Sequence, residues 1–302
     1  AAQGSSNSVT GGGTSAGDSA SLTVNSSLYV GSLGSGNTLT IRNGADVTQT
    51  WTAYIGSGST ASTATTFGYN NSVSVTGMGT SWTIGGTGSW DGLNVGSYGC
   101  SNSLTITSGG SVSSGALGIG GGSTTDAAQG CSNSVTVGGT TSGDASSFTV
   151  NGVANIGYYG SGNSLLIRSG ASASTGAMTI GVGSTSDSAL GSSNTVTVGG
   201  TTSGDASQLA VSGTLNVGYF GSGNTLTVRN GADMTGTGKA CIGFGDITYS
   251  TASAIGYNNS VSVSGTGSTW ILMNASGVYQ ELDVGQYGCG NSLSVTSGGS
   301  VT

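Results

Sequence analysis

One phrase, Gly-x-x-Asn-(Ser/Thr)-(Val/Leu)-(Ser/Thr/Leu)-(Val/Ile), recurs along this chain and constrains it more than any other feature. Its asparagines are Asn7, Asn37, Asn71, Asn102, Asn133, Asn163, Asn194, Asn224, Asn259 and Asn291. Successive copies lie 30 to 35 residues apart, so ten of them tile the 302 residues from end to end. A fixed period in this range marks a solenoid or array, in which each unit buries its apolar face only against its neighbours. One continuous body over 1–302 is therefore expected, rather than the two or so globular domains that length alone suggests.

Composition decides whether such a chain folds at all. Gly supplies 61 residues, Pro none, and charged residues make up 5%. Ser and Thr fill most of the remainder, a mixture shared with disordered linkers. Yet 34% of residues are apolar, and Val, Ile and Leu alternate with polar residues inside each copy. A disordered chain has no reason to keep that period-2 alternation. The net charge is −7, and the only basic residues are Arg42, Arg168, Arg229 and Lys239. Nucleic-acid binding needs clustered Lys and Arg, so nucleic acid is not an expected partner. No apolar run approaches the roughly 20 residues of a membrane span, and no signal peptide is visible. Ala-Ala-Gln-Gly at 1–4 recurs at 127–130, and Gly-Gly-Ser-Val-Thr at 298–302 matches Gly-Gly-Ser-Val-Ser at 109–113. Both ends thus fall in mid-repeat, as expected of a mature product or of a segment of a longer protein.

Residues 133–162 show how one copy folds. Three alternating stretches, NSVTV, SSFTV and VANIG, are separated by Gly-rich corners. Alternation sends Val135, Val137, Phe148, Val150 and Ile156 inward, and Ser134 and Thr136 outward. Three short strands joined by turns that use Gly's positive φ make one coil of an all-β, single-chain β-solenoid (β-helix). Ten coils of about 31 residues, stacked roughly 4.8 Å apart, give a rod on the order of 50 Å long. Odd copies resemble one another (TTSGDASSFTVNG at 140–152, TTSGDASQLAVSG at 201–213), whereas even copies carry a shorter link (IRNGADV at 41–47). The full repeat is a two-coil unit of about 62 residues. The recurring Asn shares the inward parity, so its amide is expected to bond to its equivalents one coil above and below as an asparagine ladder.

Catalytic constellations are not expected. The chain has no His, which excludes Ser-His-Asp and Cys-His arrangements. Glu281 and Asp283, two apart on one strand, are the nearest approach to paired glycosidase acids and read better as a solvated outward edge. The Gly-Asp loops at Asp18, Asp144 and Asp205 supply one carboxylate each, short of the six to eight oxygens calcium takes. They read as backbone caps. No metal and no cofactor is expected. Cys100 and Cys131 hold the same position in adjacent coils, within reach of a disulfide; the alternative is a pair of stacked thiols. Cys241 and Cys289 are expected to be free or to pair between molecules.

Two features suggest ligand faces. Outward residues of the first strand should form two files of hydroxyls, including Thr38, Thr40, Ser72, Ser74, Ser103, Thr105, Ser134, Thr136, Thr195, Thr197, Thr225 and Thr227, with Leu166 interrupting one file. Such a Thr-x-Thr array resembles those of ice-binding β-solenoids, although exposed strands of a low-charge protein also carry small hydroxyls. Of the tryptophans, Trp82 and Trp270 align with Phe148 and Leu209 and read as core. Trp51 and Trp90 lie near corners, where a carbohydrate groove is an alternative to packing.

GYNNSVSVTGMGTSW (68–82), GYNNSVSVSGTGSTW (256–270), GSGNTLTIRNGADV (34–47), LNVGSYGCSNSLTITSGGSV (93–112) and LDVGQYGCGNSLSVTSGGSV (282–301) resemble the repeats of autotransporter-type passenger domains. These are Gly/Ser/Thr-rich β-helical proteins of bacterial surfaces. The resemblance covers essentially the whole chain and implies a scaffold, secretion, an extracellular or cell-surface location, and display or adhesion. Neither end carries a visible polar or helical cap of the kind solenoids use to cover edge strands. The expected partner is therefore another copy stacked head-to-tail, as a filament subunit or stalk. A surface polysaccharide or a host or abiotic surface are further expected partners.

Overall fold

The computed structural model describes residues 5–15, 17, 19–59, 68–85, 91–126, 128–185, 187, 189–245, 256–272 and 281–302. Asp18 and Trp90 lie outside the described residues. Ten coils, numbered here from the asparagine that opens each, stack so that equivalent strands pair in parallel between neighbouring coils. The first strands of the coils, from Ser8–Gly11 to Ser292–Thr296, form one ten-stranded parallel sheet. Second and third strands form two further files, which are joined into a single 17-stranded sheet. The described residues contain no helix. The chain is an all-β solenoid.

Period-2 alternation produces this shape because each strand sends one parity to the column axis. In the first file Val135 and Val137 are buried, as are their register partners Leu104 and Ile106 on one side and Leu165 and Ile167 on the other. In the second file Val47, Trp82, Val112, Phe148, Ala173, Leu209, Met234 and Trp270 lie in register one above another, all buried. In the middle of that column a large ring meets smaller neighbours, Phe148 lying between Val112 and Ala173, the kind of size matching that dense packing needs. Each such side chain contributes roughly 1.5–3 kcal/mol on leaving water.

The corner expected between second and third strands is absent in coils 5 and 6. Ser147–Tyr158 and Ser172–Val182 each run through both files as one strand, and this is what joins the two files. The extra residue is absorbed as a register shift between Val150 and Val153. Gly152 keeps its ladder bond, donating its N–H to Gly115 O at 2.7 Å. A bulge thus replaces a turn.

Candidate functional site

The polar column at the first corner is the most regular feature of the interior. Along the series, the backbone N–H and the side-chain Nδ2 of each asparagine both donate to Oδ1 of the next. Asn133 does so to Asn163 at 2.9 and 3.1 Å, and Asn163 to Asn194 at 2.9 and 3.0 Å. Nδ2 also donates across the corner, from Asn133 to Gly99 O and from Asn163 to Gly130 O. Asn71, Asn102, Asn133, Asn163, Asn194, Asn224 and Asn259 have no exposed surface, and Asn37 is 8% exposed. Asn7 and Asn291 are the first and last members, bonded to Asn37 and Asn259 respectively.

Sequence reasoning missed the file that makes room for these amides. Each third strand carries a glycine with positive φ, such as Gly120 (73°), Gly157 (80°) and Gly181 (78°). A Cβ there would fall inside the amide of Asn163, Asn194 and Asn224 respectively. The signal was present as the recurrent (Ile/Val)-Gly that ends each third strand, although its partner lies more than thirty residues later.

At the corner after the first strand, Asp144 and Asp205 tie each long loop to the turn of the preceding coil. Asp144 Oδ2 accepts from Ser108 N at 3.0 Å and Gly139 N at 2.7 Å, and Oδ1 accepts from Ser146 N at 2.9 Å. Burial alone would raise this carboxyl. The Ser146 hydroxyl and the backbone N–H groups of Ser108, Gly139 and Ser146 outweigh that and hold it down at about 2. Asp205 is lowered by the same opposition, with Ser207, Ser169 and Gly200 as donors. The oxygens a cation would need are engaged by N–H groups. Among the described residues no three His, Cys, Asp or Glu side chains gather to hold a metal ion.

Cys100 and Cys131 are joined by a disulfide across adjacent coils, with Cα atoms 4.6 Å apart. Cys241 is a buried free thiol, pushed up by burial and then by Asp283, and Cys289 is free and exposed. Glu281 and Asp283, read from the sequence as a solvated outward edge, are both paired with one ammonium, and Glu281 is exposed. Lys239 Nζ lies 2.9 Å from Glu281 and 2.7 Å from Asp283, because Ala240 pairs with Leu282 and brings Lys239 opposite Glu281. One ammonium holds both carboxylates and is itself pushed up by them. That differs from separated acid and base groups flanking a glycosidic bond.

The first outer face carries the hydroxyl columns. Register aligns Thr38, Ser72, Ser103, Ser134, Ser164, Thr195 and Thr225 in one column. Thr40, Ser74, Thr105, Thr136, Leu166, Thr197 and Thr227 form the other by the same pairings. Most are half-buried and Thr195 is exposed. Columns of this kind recur roughly every 4.8 Å along the axis and 6.8 Å along the strand. Trp82 and Trp270 are 1% exposed and belong to the core, whereas Trp51 is 57% exposed at its corner.

No family model matches the chain, and comparison with curated proteins gives no match. Among solved structures, a TibC-catalyzed hyper-glycosylated TibA fragment aligns over 96% of this chain and 98% of that one, at 18% identity and a TM-score of 0.27. At that score the likeness carries no functional weight. The fold rests on the strand pairing itself.

Proposed function

We propose that this chain is an extracellular structural protein of a bacterial surface, a β-solenoid stalk or filament subunit that displays its outer faces or adheres through them. The observation that supports this is the parallel pairing of equivalent strands from coil to coil, ten strands deep in the first file. It makes the chain a rod with straight columns of side chains on each face. An interior of interlocked apolar and amide columns resists extension along the axis, because every coil is bonded to both neighbours. The reading assigns no catalytic step. Its partners are a further copy or flanking repeats continuing the column, together with a surface polysaccharide or a host or abiotic surface.

Electron microscopy of the purified native material tests the filament form. Continuous fibres with an axial repeat near ten coils, roughly 48 Å, are expected, and isolated short rods would remove that form. Antibody labelling of intact cells, together with release by mild protease, tests the surface location; label only after permeabilisation would refute it.

A second reading, ice binding, is favoured by one specific observation, the two in-register hydroxyl columns of the first face. It requires thermal hysteresis in the soluble chain that Thr136→Glu abolishes. Hysteresis absent from the wild type ends it.

A further inference from the structure

The outer face of the third strands is not uniform, unlike the hydroxyl face. At the residue that follows each third strand, odd coils carry a large side chain: Leu33, Tyr98, Tyr159, Phe220 and Tyr287. Even coils carry glycine at the equivalent place, Gly122 among them. All five large residues hold positive φ, between 55° and 64°, a conformation that glycine adopts freely and bulky residues avoid. Glycine or asparagine would be the easier choice at such a corner. Repeated use of an aromatic ring there calls for a role for the ring.

Between coils 3 and 5 the alternation opens a cavity of about 360 Å³. Coil 4 presents Gly118, Gly121 and Gly122 there, so the missing side chains form its floor. Tyr98 stands on one side. Tyr158 and Tyr159 stand on the other, their ring centroids 4.6 Å apart at 66°. Asn94 and Asn155 align through Gly118 on the rim, and neither side-chain amide has a hydrogen-bond partner among the described residues. Among the described residues no charged side chain lines the cavity.

Ring walls, unpartnered amides, a backbone floor and no charge suit one ligand chemistry. A sugar ring packs its C–H face on tyrosine, while its hydroxyls exchange hydrogen bonds with amides that both donate and accept. The axial spacing narrows the class further. Odd coils repeat about every 9.6 Å along the rod, close to the length of one disaccharide in an extended β-1,4-linked chain, whose alternate sugars present the same face. We propose that this groove binds a neutral β-1,4-linked glycan lying along the rod axis, with one sugar seated over Gly121 between Tyr98 and Tyr159. The groove is confined to coils 3 to 5, because Val182 and Phe244 hold the place of Gly121 two and four coils further on. This site is separate from the hydroxyl face and does not depend on the surface-display reading.

Isothermal titration of the whole chain with cellohexaose, chitohexaose and maltohexaose tests it. At least one of the two β-1,4 hexamers is expected to bind and the coiled α-1,4 maltohexaose is not. Tyr98→Ala and Tyr159→Ala are each expected to weaken binding about tenfold. Gly121→Trp fills the groove without disturbing the coil, since a Cβ at Gly121 meets only Ser97 Cα at 3.8 Å and the residue has no positive φ. It should abolish binding while thermal melting stays at the wild-type value, which keeps the test valid even where a tyrosine variant fails to fold. Absence of binding by both β-1,4 hexamers at millimolar concentration overturns the proposal. So does binding that survives Gly121→Trp, or equal binding of maltohexaose. None of these outcomes bears on cell-surface labelling, so the two readings fail separately.

Discussion

Residues 68–82 and 256–270 are nearly the same text placed six coils apart. Both put an asparagine in the polar column, Asn71 and Asn259, with no exposed surface. In both, a hydroxyl caps the turn of the coil before: Thr80 Oγ1 accepts from Gly44 N and Ser268 Oγ from Gly231 N, each at 2.9 Å. Both bury a tryptophan to 1% exposure. There the likeness stops. Trp82 Nε1 donates to Gln49 Oε1 at 3.2 Å, whereas Trp270 Nε1 is buried with no partner among the described residues. The cause lies in the neighbouring coil, where Gly236, two residues past the register partner of Trp270, occupies the position that Gln49 holds two residues past the register partner of Trp82. A repeat fixes what its own residues do, and the adjacent coil decides whether their polar atoms are satisfied.

The largest expected effect would erase what the two segments share. Asn71→Ala and Asn259→Ala should each cost about 3 kcal/mol, because each removes the acceptor shared by the buried backbone N–H and side-chain Nδ2 of the preceding asparagine. Denaturant unfolding of the two variants checks this, and near-neutral behaviour of either would show that the column is not stabilising there. Next, Gln49→Leu should bring Trp82 to the condition of Trp270, at about 2 kcal/mol, the cost of a buried orphan N–H. The reverse change sharpens the contrast. Gly236→Gln should add about 1 kcal/mol, since a Cβ at Gly236 meets Leu272 Cδ2 at 3.6 Å and nothing closer. A loss of stability would show that the amide does not reach Trp270.

The coils between the two segments respond to acid where the segments themselves should not. Asp144, held at about 2 when folded, sits below the ordinary carboxylate value near 4. Its contribution is full above that ordinary value and is lost as pH falls through about 2. Amide exchange at Gly139 and Ser108 should accelerate over that window, Asp144→Asn should remove the dependence, and Gly44, capped by Thr80, should show none. The smallest effect is expected at Lys239, whose half-exposed ion pairs contribute no more than about 1 kcal/mol. Lys239→Met should barely move the melting temperature, and a loss of several degrees would assign that cluster a structural role.

Much of this architecture was legible because the repeat is written in local residues. The inward parity of Val135 and Val137, the common position of Cys100 and Cys131, and the recurrence of the ladder asparagines need only counting. What escaped reading depends on which residues become vertical neighbours. Gly157 lies against Asn194, Gln49 bonds Trp82, and Lys239 meets Glu281, each pair separated by more than thirty residues. Coils of unequal length shift that alignment, so a nominal period does not reveal it. The fusion of second and third strands in Ser147–Tyr158 was hidden for a different reason. Gly152 reads as a turn and acts as a bulge, a choice made by the hydrogen bond to Gly115 O.

The asparagine column also has a sense of direction. Every Oδ1 points toward the coil before it, and the backbone N–H and one Nδ2 hydrogen toward the coil after it, so the N–H···Oδ1 bonds of the column all run the same way and their dipoles add, as peptide dipoles do along a helix. Asn7 presents an acceptor at the first coil and Asn291 a donor at the last. Whatever continues the column, by covalent extension or by a second copy, must therefore arrive with the same polarity. A junction of two like ends would set acceptor against acceptor or donor against donor, and the rod is in this sense vectorial, with distinguishable poles.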